Sequence, residues 1–580
     1  MHKHGAHLLD ATSARFALWA PDARHVSVQL DQKAVELQPE ENGWFVGTAT
    51  CQPGSRYKYQ VDDHPPVPDP ASRFQPEGVH GPSELVDVVH YHWQHAWEGR
   101  PWHEAVIQEL HVGVQDGYAG VARQLPRLAE LGVTAIELMP VAECPGERNW
   151  GYDGVLPFAP QHNYGSPEQL CALVDQAHGH GLMVMLDVVY NHFGPDGNFL
   201  HQYASDFFRE DRQTPWGAAI DFRRAQVREY FIQNALMWLC DYRFDGLRLD
   251  AVHAINQPDF LVELARRVRE AVEPGRQVWL VLENEHNQAS LLEQGFDAQW
   301  NDDGHNALHV LLTGETEGYY ADFKDQPIEQ LARCLNQGFV FQGQENRHGE
   351  ARGEPSEHLS QTSFVLFLQN HDQIGNRAFG ERLTRLCPPQ ALRAATTLLL
   401  MAPMIPLFFM GDEQGSQQPF LFFTDFHDEL ADAVREGRRG EFEHFAAFAD
   451  PERREQIPDP NALQTFRDSR PTAENDDASV WQAFYGELLT LRREHLVPRL
   501  PGTRAVDTEV LSDHALSARW RLGDGQILRI DLNLAAEPQS VQLPARELRL
   551  FTTADAVHRD DVLAAHSCVV SLIPAQQEAP

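Results

Sequence analysis

Positive charge is scarce in this chain: Lys and Arg number 47 against 84 Asp and Glu among 580 residues, a net charge of −37 at neutral pH. So acidic a chain repels phosphate backbones and anionic membrane surfaces, which argues against nucleic-acid and membrane partners and is compatible with a neutral substrate. Paired cysteines are missing too. The seven cysteines stand singly at 51, 144, 171, 240, 334, 387 and 568, with no CxxC spacing. That pattern argues against a disulfide frame or a zinc site and for a reducing, cytoplasmic compartment; no metal is expected. No run approaches the ~18 apolar residues of a membrane helix. The opening MHKHGAHLLDATS lacks the apolar centre of a signal peptide. His2, His4 and His7 are expected on a mobile terminus rather than as metal ligands. Internal repeats and low-complexity tracts are absent.

What is present is a rhythm that changes twice. Residues 1–95 read as a small all-β sandwich, with RFALWAPDARHVSVQL, GWFVGTA and RYKYQV as strands and Pro65, Pro66, Pro68 and Pro70 closing the unit. The aromatic-rich YHWQHAWEGRPW follows, a packing segment between two domains. Across 96–495 apolar strands alternate with amphipathic helices. The strands are AVIQELHVG, TAIELMP, LMVMLDVVY, FDGLRLDAV, QVWLVLENE, DAQWNDD, FVLFLQNHD and PLFFMGDE; the helices include VARQLPRLAELG, PEQLCALVDQAHGHG, AQVREYFIQNALMWL and PDFLVELARRVREAV. Eight strands with intervening helices predict an α/β fold, a (β/α)8 TIM barrel. Beyond it, 496–580 reads as a C-terminal β-sandwich, with QQEAP a frayed end.

Several barrel strands end in acids where Gly, Pro or Ser would be ordinary: Asp187, Asp250, Glu283 and Asp372. At the end of a parallel barrel strand such a carboxylate faces the catalytic rim. Arg248 and Asp250 are two apart on one strand and so share a face; a buried guanidinium and carboxylate must be paired. Long connections between Val141 and Pro167 and between Asn191 and Asp221 are placed to build a cleft. Gln342 to Leu359 is polar and expected to be mobile. Convergent acids without metal-ligand spacing or a nucleophilic-serine elbow point to glycoside hydrolysis. Asp250 beside Arg248 suits a nucleophile, and Glu283 at the end of VWLVL suits an acid raised by desolvation. Asp372 would hold substrate hydroxyls and steady the oxocarbenium-like state. His192 and His371, each after an Asn, could donate to hydroxyls.

The segments DVVYNH, GLRLDAVH, LENE and QNHD resemble, in order, the four signature regions of the α-amylase family, glycoside hydrolase family 13. The resemblance implies Asp250 as nucleophile, Glu283 as acid/base and Asp372 as transition-state stabiliser. It places Asp187, His192, Arg248 and His371 around the sugar at the cleaved bond and Tyr152 of NWGYDG stacked on its ring, with no cofactor. The first domain is then immunoglobulin-like, akin to a glucan-binding module. Longer stretches (ELHVG, GVTAIELMPVAECPGERNWGYDGVLPFAP, TPWG, FDGLRLDAVHAI, DAQWNDDGHNALHVLLTGETEGYYADF, FLQNHDQIGNRA, and PFLFFTDF with VREGRRGEF) resemble the branch that releases trehalose from maltooligosyltrehalose. His253, one position earlier than the histidine of many amylases, fits that branch. Such an enzyme acts on maltooligosyltrehalose and related α-glucans, with maltooligosyltrehalose synthase as functional partner. A branching enzyme or plain α-glucanase would share every catalytic acid, so NWGYDG and PFLFFTDF must discriminate.

Overall fold

The computed structural model describes residues 3–31, 33–214, 217–255, 257–471, 477–542, 546–553 and 561–575. Eight apolar runs become eight parallel strands: β1 (Ile107–Leu110), β2 (Ala135–Leu138), β3 (Met183–Val188), β4 (Gly246–Leu249), β5 (Trp279–Leu282), β6 (Ala298–Trp300), β7 (Phe364–Leu366) and β8 (Ile405–Phe409). Each pairs with its sequence neighbours, and β8 pairs with β1 to close the barrel. Helices cover the outer face, so both faces of each strand are buried; this is why the runs read as continuously apolar. Side chains at alternate positions, among them Ile107, Ala135, Met183, Met185, Val281, Ala298, Trp300, Val365, Ile405 and Leu407, form a separate apolar cluster that fills the barrel interior. Above that filling, the next inward positions are polar: Glu109, Glu137, Asp187 and Arg248, all buried.

The expected helices form as α1 (Gly117–Leu131), α2 (Pro167–Gly179), α3 (Ala225–Leu236) and α4 (Pro258–Ala271). The start of α2 shows the local logic. Pro167 sits at its first position, Ser166 Oγ accepts the Gln169 N–H, and the Gln169 side chain accepts the Ser166 N–H, which satisfies two otherwise orphaned donors. A five-residue π-turn, Met237–Asp241, continues α3 toward β4. No helix among the described residues is long and apolar enough to cross a membrane.

Two four-stranded antiparallel sheets make the N-terminal sandwich, one of Gly5–Asp10, Ser13–Trp19, Trp44–Thr50 and Gln38–Glu40, the other of Lys33–Glu36, Val26–Leu30, Arg56–Val61 and Ser83–Glu84. His4 and His7 do not lie on a free terminus. The His4 N–H donates to Gln233 Oε1 at 2.9 Å, its Nε2 donates to the Gln226 carbonyl at 3.2 Å, and its ring packs on Trp44 and Tyr230. Burial pushes its pKa down to about 4, so it docks the sandwich on α3 as a neutral ring. His2 lies outside the described residues, as do QQEAP and Pro215 and Trp216 of TPWG. The aromatic segment packs as expected: the Trp97 Nε1–H donates to Asp245 Oδ1 at 2.7 Å while its ring stacks on His178. Gln342 to Leu359 is pinned rather than loose. Gln344–Glu345 pairs with Ala351–Arg352, and the Arg352 guanidinium reaches Asp303 and the Glu285 carbonyl.

The C-terminal unit is a five-stranded antiparallel sheet in the order Arg504–Ser512, Ala515–Arg521, Ile527–Asn533, Ser567–Ile573 and Leu548–Thr552, with the pair Gln539–Ser540 and Val562–Leu563 beside it. It packs on the barrel helices Pro327–Gln337 and Pro389–Met401, and the Trp520 Nε1–H donates to the Leu335 carbonyl at 3.1 Å.

Helix Pro389–Met401 ends just before β8, where its last carbonyls would face apolar surroundings without donors. Arg492, fully buried, supplies them: its guanidinium donates to the carbonyls of Leu400 (2.9 Å), Ala402 (2.6 Å) and Met404 (2.8 Å). Arg492→Met keeps most of the volume and orphans three carbonyls. At ~1 kcal/mol or more each, the loss should reach about 3 kcal/mol. Differential scanning calorimetry should show a thermal midpoint lowered by several degrees; an unchanged midpoint would contradict this role.

Candidate active site

The site is organised by one guanidinium. In β-register Asp187 on β3 lies opposite Arg248 on β4, and both side chains are almost fully buried. Arg248 Nη1 donates to Asp187 Oδ2 at 2.6 Å and to Asp250 Oδ1 at 2.8 Å, and Nη2 stands 3.9 Å from Glu283 Oε2. Its plane lies over the Trp300 ring, 4.2 Å from the centroid. A fixed cation thus gathers carboxylates from three consecutive strands. Asn191, just past β3, holds the remaining oxygen of Asp250: its Nδ2 donates to Asp250 Oδ2 at 2.9 Å and to the Asp250 carbonyl at 3.0 Å.

A second arm enters from β1 and β7. The His371 N–H donates to Glu109 Oε2 at 3.0 Å and its Nδ1 pairs closely with Glu109 Oε1. Its Nε2 lies 2.8 Å from the Tyr152 hydroxyl and 3.4 Å from Asp372 Oδ1. The Tyr152 hydroxyl donates in turn to Asp187 Oδ2 at 2.6 Å, and the Tyr152 and His371 rings stack at 5.2 Å. A continuous hydrogen-bonded chain therefore runs Glu109, His371, Tyr152, Asp187, Arg248, Asp250. His192 supports it from behind by donating from Nε2 to the Tyr152 carbonyl at 2.9 Å. Asp372 is the second residue of helix His371–Gly375, its N–H held by the Asn370 cap, and its side chain is 46 % exposed.

The electrostatics separate the acids. Burial raises Glu283 well above the usual carboxylate value; Arg248 opposes this, while the charges of Asp250, Asp302 and Asp372 add to it. Asp187 is raised to about 6 by burial and the Asp250 charge, against Arg248 and Tyr152. His371 is driven the other way. Burial would lower it, yet the Glu109 and Asp372 carboxylates hold it well above the ordinary histidine value. For Asp372 the surrounding protein pushes upward, but charged His371 and Arg248 outweigh it and keep the carboxyl below its usual value.

All eight residues singled out from sequence meet in this one cluster. The two segments named there as discriminators also touch: Trp150 of NWGYDG donates from Nε1 to the Leu421 carbonyl at 2.9 Å and stacks on Phe420 of PFLFFTDF. Arg148 pairs with Asp425 of the same segment. Arg438 of VREGRRGEF lies over Phe422 and donates to the carbonyls of Gly375 and Arg377, next to the turn that carries Asp372. Four residues escaped the sequence reading: Glu109, Asn191, Trp300 and Asp302. Glu109 carried a usable signal, being two residues after the inward Ile107 in an apolar run, the same pattern as Asp187 two after Met185. Asp302, raised to about 7 by burial and by Asp372 and Asp303 against Arg352, sits at the start of helix Asp302–Thr313 beside this cluster. Among the described residues no three His, Cys, Asp or Glu side chains are grouped as metal ligands.

The charge on His371 yields a prediction. Its folded pKa is raised, so the stability it contributes is complete below the ordinary value of ~6.5 and fades as pH climbs through the higher folded value. Glu109→Gln removes its largest charged support. In urea unfolding from pH 6 to 9, the deficit of the variant should be greatest near pH 6 and shrink as pH rises; a constant deficit would contradict the charged His371.

Comparison with known proteins places this site in a lineage. Residues 3–71 match carbohydrate-binding module 48 (isoamylase N-terminal domain), residues 113–217 match the alpha amylase catalytic domain, and residues 503–570 match a domain of unknown function, DUF3459. A malto-oligosyltrehalose trehalohydrolase of Deinococcus radiodurans is 42% identical over 496 residues, 83% of this chain and 81% of that protein. One of Saccharolobus solfataricus is 39% identical over 84% of this chain and 86% of that protein, and one of Mycobacterium tuberculosis is 33% identical over 96% and 98%. Among solved structures, a candidate alpha amylase from Salmonella typhimurium superposes with a TM-score of 0.93 at 41% identity, covering 99% of this chain and 100% of that one. A pullulanase from Anoxybacillus shares the fold, with a TM-score of 0.72 at 16% identity over 98% and 87% of the two chains. With identities this high over most of each relative's length, the chain belongs to the malto-oligosyltrehalose trehalohydrolase family, on an α-amylase-type barrel.

Proposed function

We propose that the protein hydrolyses the α-1,4-glucosidic bond next to the terminal trehalose unit of maltooligosyltrehalose, releasing trehalose, by double displacement with retention. The observation that carries the mechanism is the single Arg248 guanidinium in reach of both Asp250 and Glu283. Arg248 and Asn191 fix the two oxygens of Asp250 in place, while burial and neighbouring acids favour a protonated Glu283. A held nucleophile and a protonated acid are what retaining hydrolysis needs at the outset, and carboxylates within reach of one side chain suit attack without an intervening water.

In the first step an Asp250 oxygen attacks the anomeric carbon, the bond to the glycosidic oxygen breaks, and its electron pair takes the proton from Glu283. Trehalose leaves and the maltooligosyl chain remains as an ester on Asp250, joined through its anomeric carbon. In the second step Glu283, now ionised, removes a proton from water as it attacks the same carbon, and Asp250 departs as carboxylate. Asp372 and His371 flank the sugar at the cleaved bond and hold its hydroxyls, with Tyr152 stacked against its ring and His192 bracing Tyr152 from behind; Asp187 and Arg248 keep the nucleophile in place. The chemistry is run by the carboxylates alone. The names of the relatives support trehalose as leaving group. A synthase that makes maltooligosyltrehalose would supply the substrate, in the cytoplasm.

Asp250→Ala and Glu283→Gln should each lower turnover by ~10³-fold or more with the fold retained by circular dichroism; near-normal turnover in either would remove that residue from its role. Product analysis tests the substrate. Free trehalose should appear from maltooligosyltrehalose much faster than a maltooligosaccharide of equal length is cut, whereas equal cutting or transfer to branched products would point to a general glucanase or a branching enzyme.

A further inference from the structure

The chain that leaves β4 does not run directly away from the barrel. It folds back over the start of the loop after β5 and grips Glu283 three times. The Glu283 N–H donates to the Leu249 carbonyl at 3.0 Å, the Val252 N–H donates to the Glu283 carbonyl at 3.0 Å, and the Ala251 N–H donates to Glu283 Oε2 at 2.5 Å. To aim that last N–H, Ala251 adopts a left-handed backbone, φ 42° and ψ 48°, and the chain turns at once into the short 3-10 helix Val252–Ala254. A residue with a Cβ in that region carries roughly 1–2 kcal/mol of strain, and alanine has no polar side chain to offset it. The three bonds to Glu283 hold the strained residue in place. The Glu283 carboxyl, whose side chain is 17% exposed, meets the protein through Oε2, from Ala251 at 2.5 Å and from Arg248 Nη2 at 3.9 Å; among the described residues no donor is found on Oε1.

We propose that Ala251 is a positioning residue whose backbone N–H occupies Oε2 of Glu283 as acceptor and thereby assigns the catalytic proton to Oε1, the oxygen left for substrate. The inference rests on Glu283 as the acid/base. The carbonyl oxygen of a carboxylic acid accepts an N–H better than its hydroxyl oxygen does, so the Ala251 N–H favours the form with Oε2 as carbonyl and the proton on Oε1, where the O–H bond breaks as the glycosidic oxygen takes the proton. After transfer the same N–H stabilises the carboxylate that must receive a proton from water. Nucleophile and acid/base are adjacent to this turn on either side, so one strained residue fixes their relative placement.

The test replaces one atom group. In the full-length protein, substituting lactic acid for Ala251 by nonsense suppression turns the amide into an ester, which keeps the methyl side chain and deletes the N–H. Two substrates are compared through kcat/KM, which reports glycosylation: maltooligosyltrehalose, whose leaving group needs the proton, and α-maltosyl fluoride, whose leaving group does not. A hydrogen bond to a charged group is worth ~1.5–3 kcal/mol, so kcat/KM for maltooligosyltrehalose should fall about 10- to 100-fold. The fluoride should change less than about 3-fold. Loss of a donor to the ionised form raises the Glu283 pKa, so the basic limb of the pH profile should move up. Ala251→Val, with a β-branched side chain poorly suited to positive φ, should show the same selective loss. Equal losses on both substrates, or a basic limb that stays put, would overturn the proposal. Glu283→Gln run in parallel separates the two readings: if it too spares maltooligosyltrehalose hydrolysis, the acid/base assignment itself is wrong.

Discussion

A buried guanidinium must be surrounded by acceptors or it destabilises the fold, and in this protein Arg248 meets that demand with the carboxylates of the candidate site. The arrangement is reciprocal. Asp187 and Asp250 compensate the cation, while the cation keeps two close acids together in the buried interior of the barrel. Trp300 below it offers a π-face in place of water on that side. Removing Arg248 would leave Asp187, which has almost no access to solvent, beside Asp250 without a counter-charge. The pull of the guanidinium is therefore structural and chemical at once, and neither aspect can be altered alone.

The barrel makes this possible by layering. Its lower interior is filled with Ile, Ala, Met, Val and Trp side chains, and the polar layer sits on that filling with Glu109, Asp187 and Arg248 in adjacent inward positions. Glu137, from β2, belongs to the same layer; among the described residues neither of its oxygens has a partner, and burial, with the charges of Glu109 and Asp187, raises it well above the usual carboxylate value. A neutral carboxyl there limits the negative charge beneath the site. The flanking sheets stabilise the barrel from outside: His4 ties the first to α3, and Trp520 ties the last to the helix after β6.

Much of this was legible in the sequence because parallel strands buried on both faces leave unbroken apolar runs, and an acid at the end of such a run has few ordinary explanations. All eight barrel strands and the four named helices stand where the runs and caps place them. Asp187, Arg248, Asp250, Glu283 and Asp372 were visible for the same reason. Glu109 and Trp300 were passed over, since Glu109 is not followed by the run of acids and amides that marks the other strand ends and Trp300 is itself no acid, and only the inward register of Ile107 and Ala298 distinguishes them from wall residues. His4 was misread since nothing local reveals that Trp44, Gln226 and Tyr230, distant in sequence, enclose it. The hairpin near residue 350 was misread for a similar reason: its anchors, Asp303 and Glu285, belong to other loops. Long-range partners, rather than composition, decide such segments.

The central claim is that Arg248 holds Asp250 as the group that bonds to the sugar. The most direct measurement is to trap the protein with an activated fluorinated α-glucosyl donor whose ester turns over slowly, digest it, and locate the added mass by tandem mass spectrometry. The account predicts one equivalent of label, on Asp250. Label on Glu283 or Asp372, or no label together with a product of inverted anomeric configuration, would contradict it.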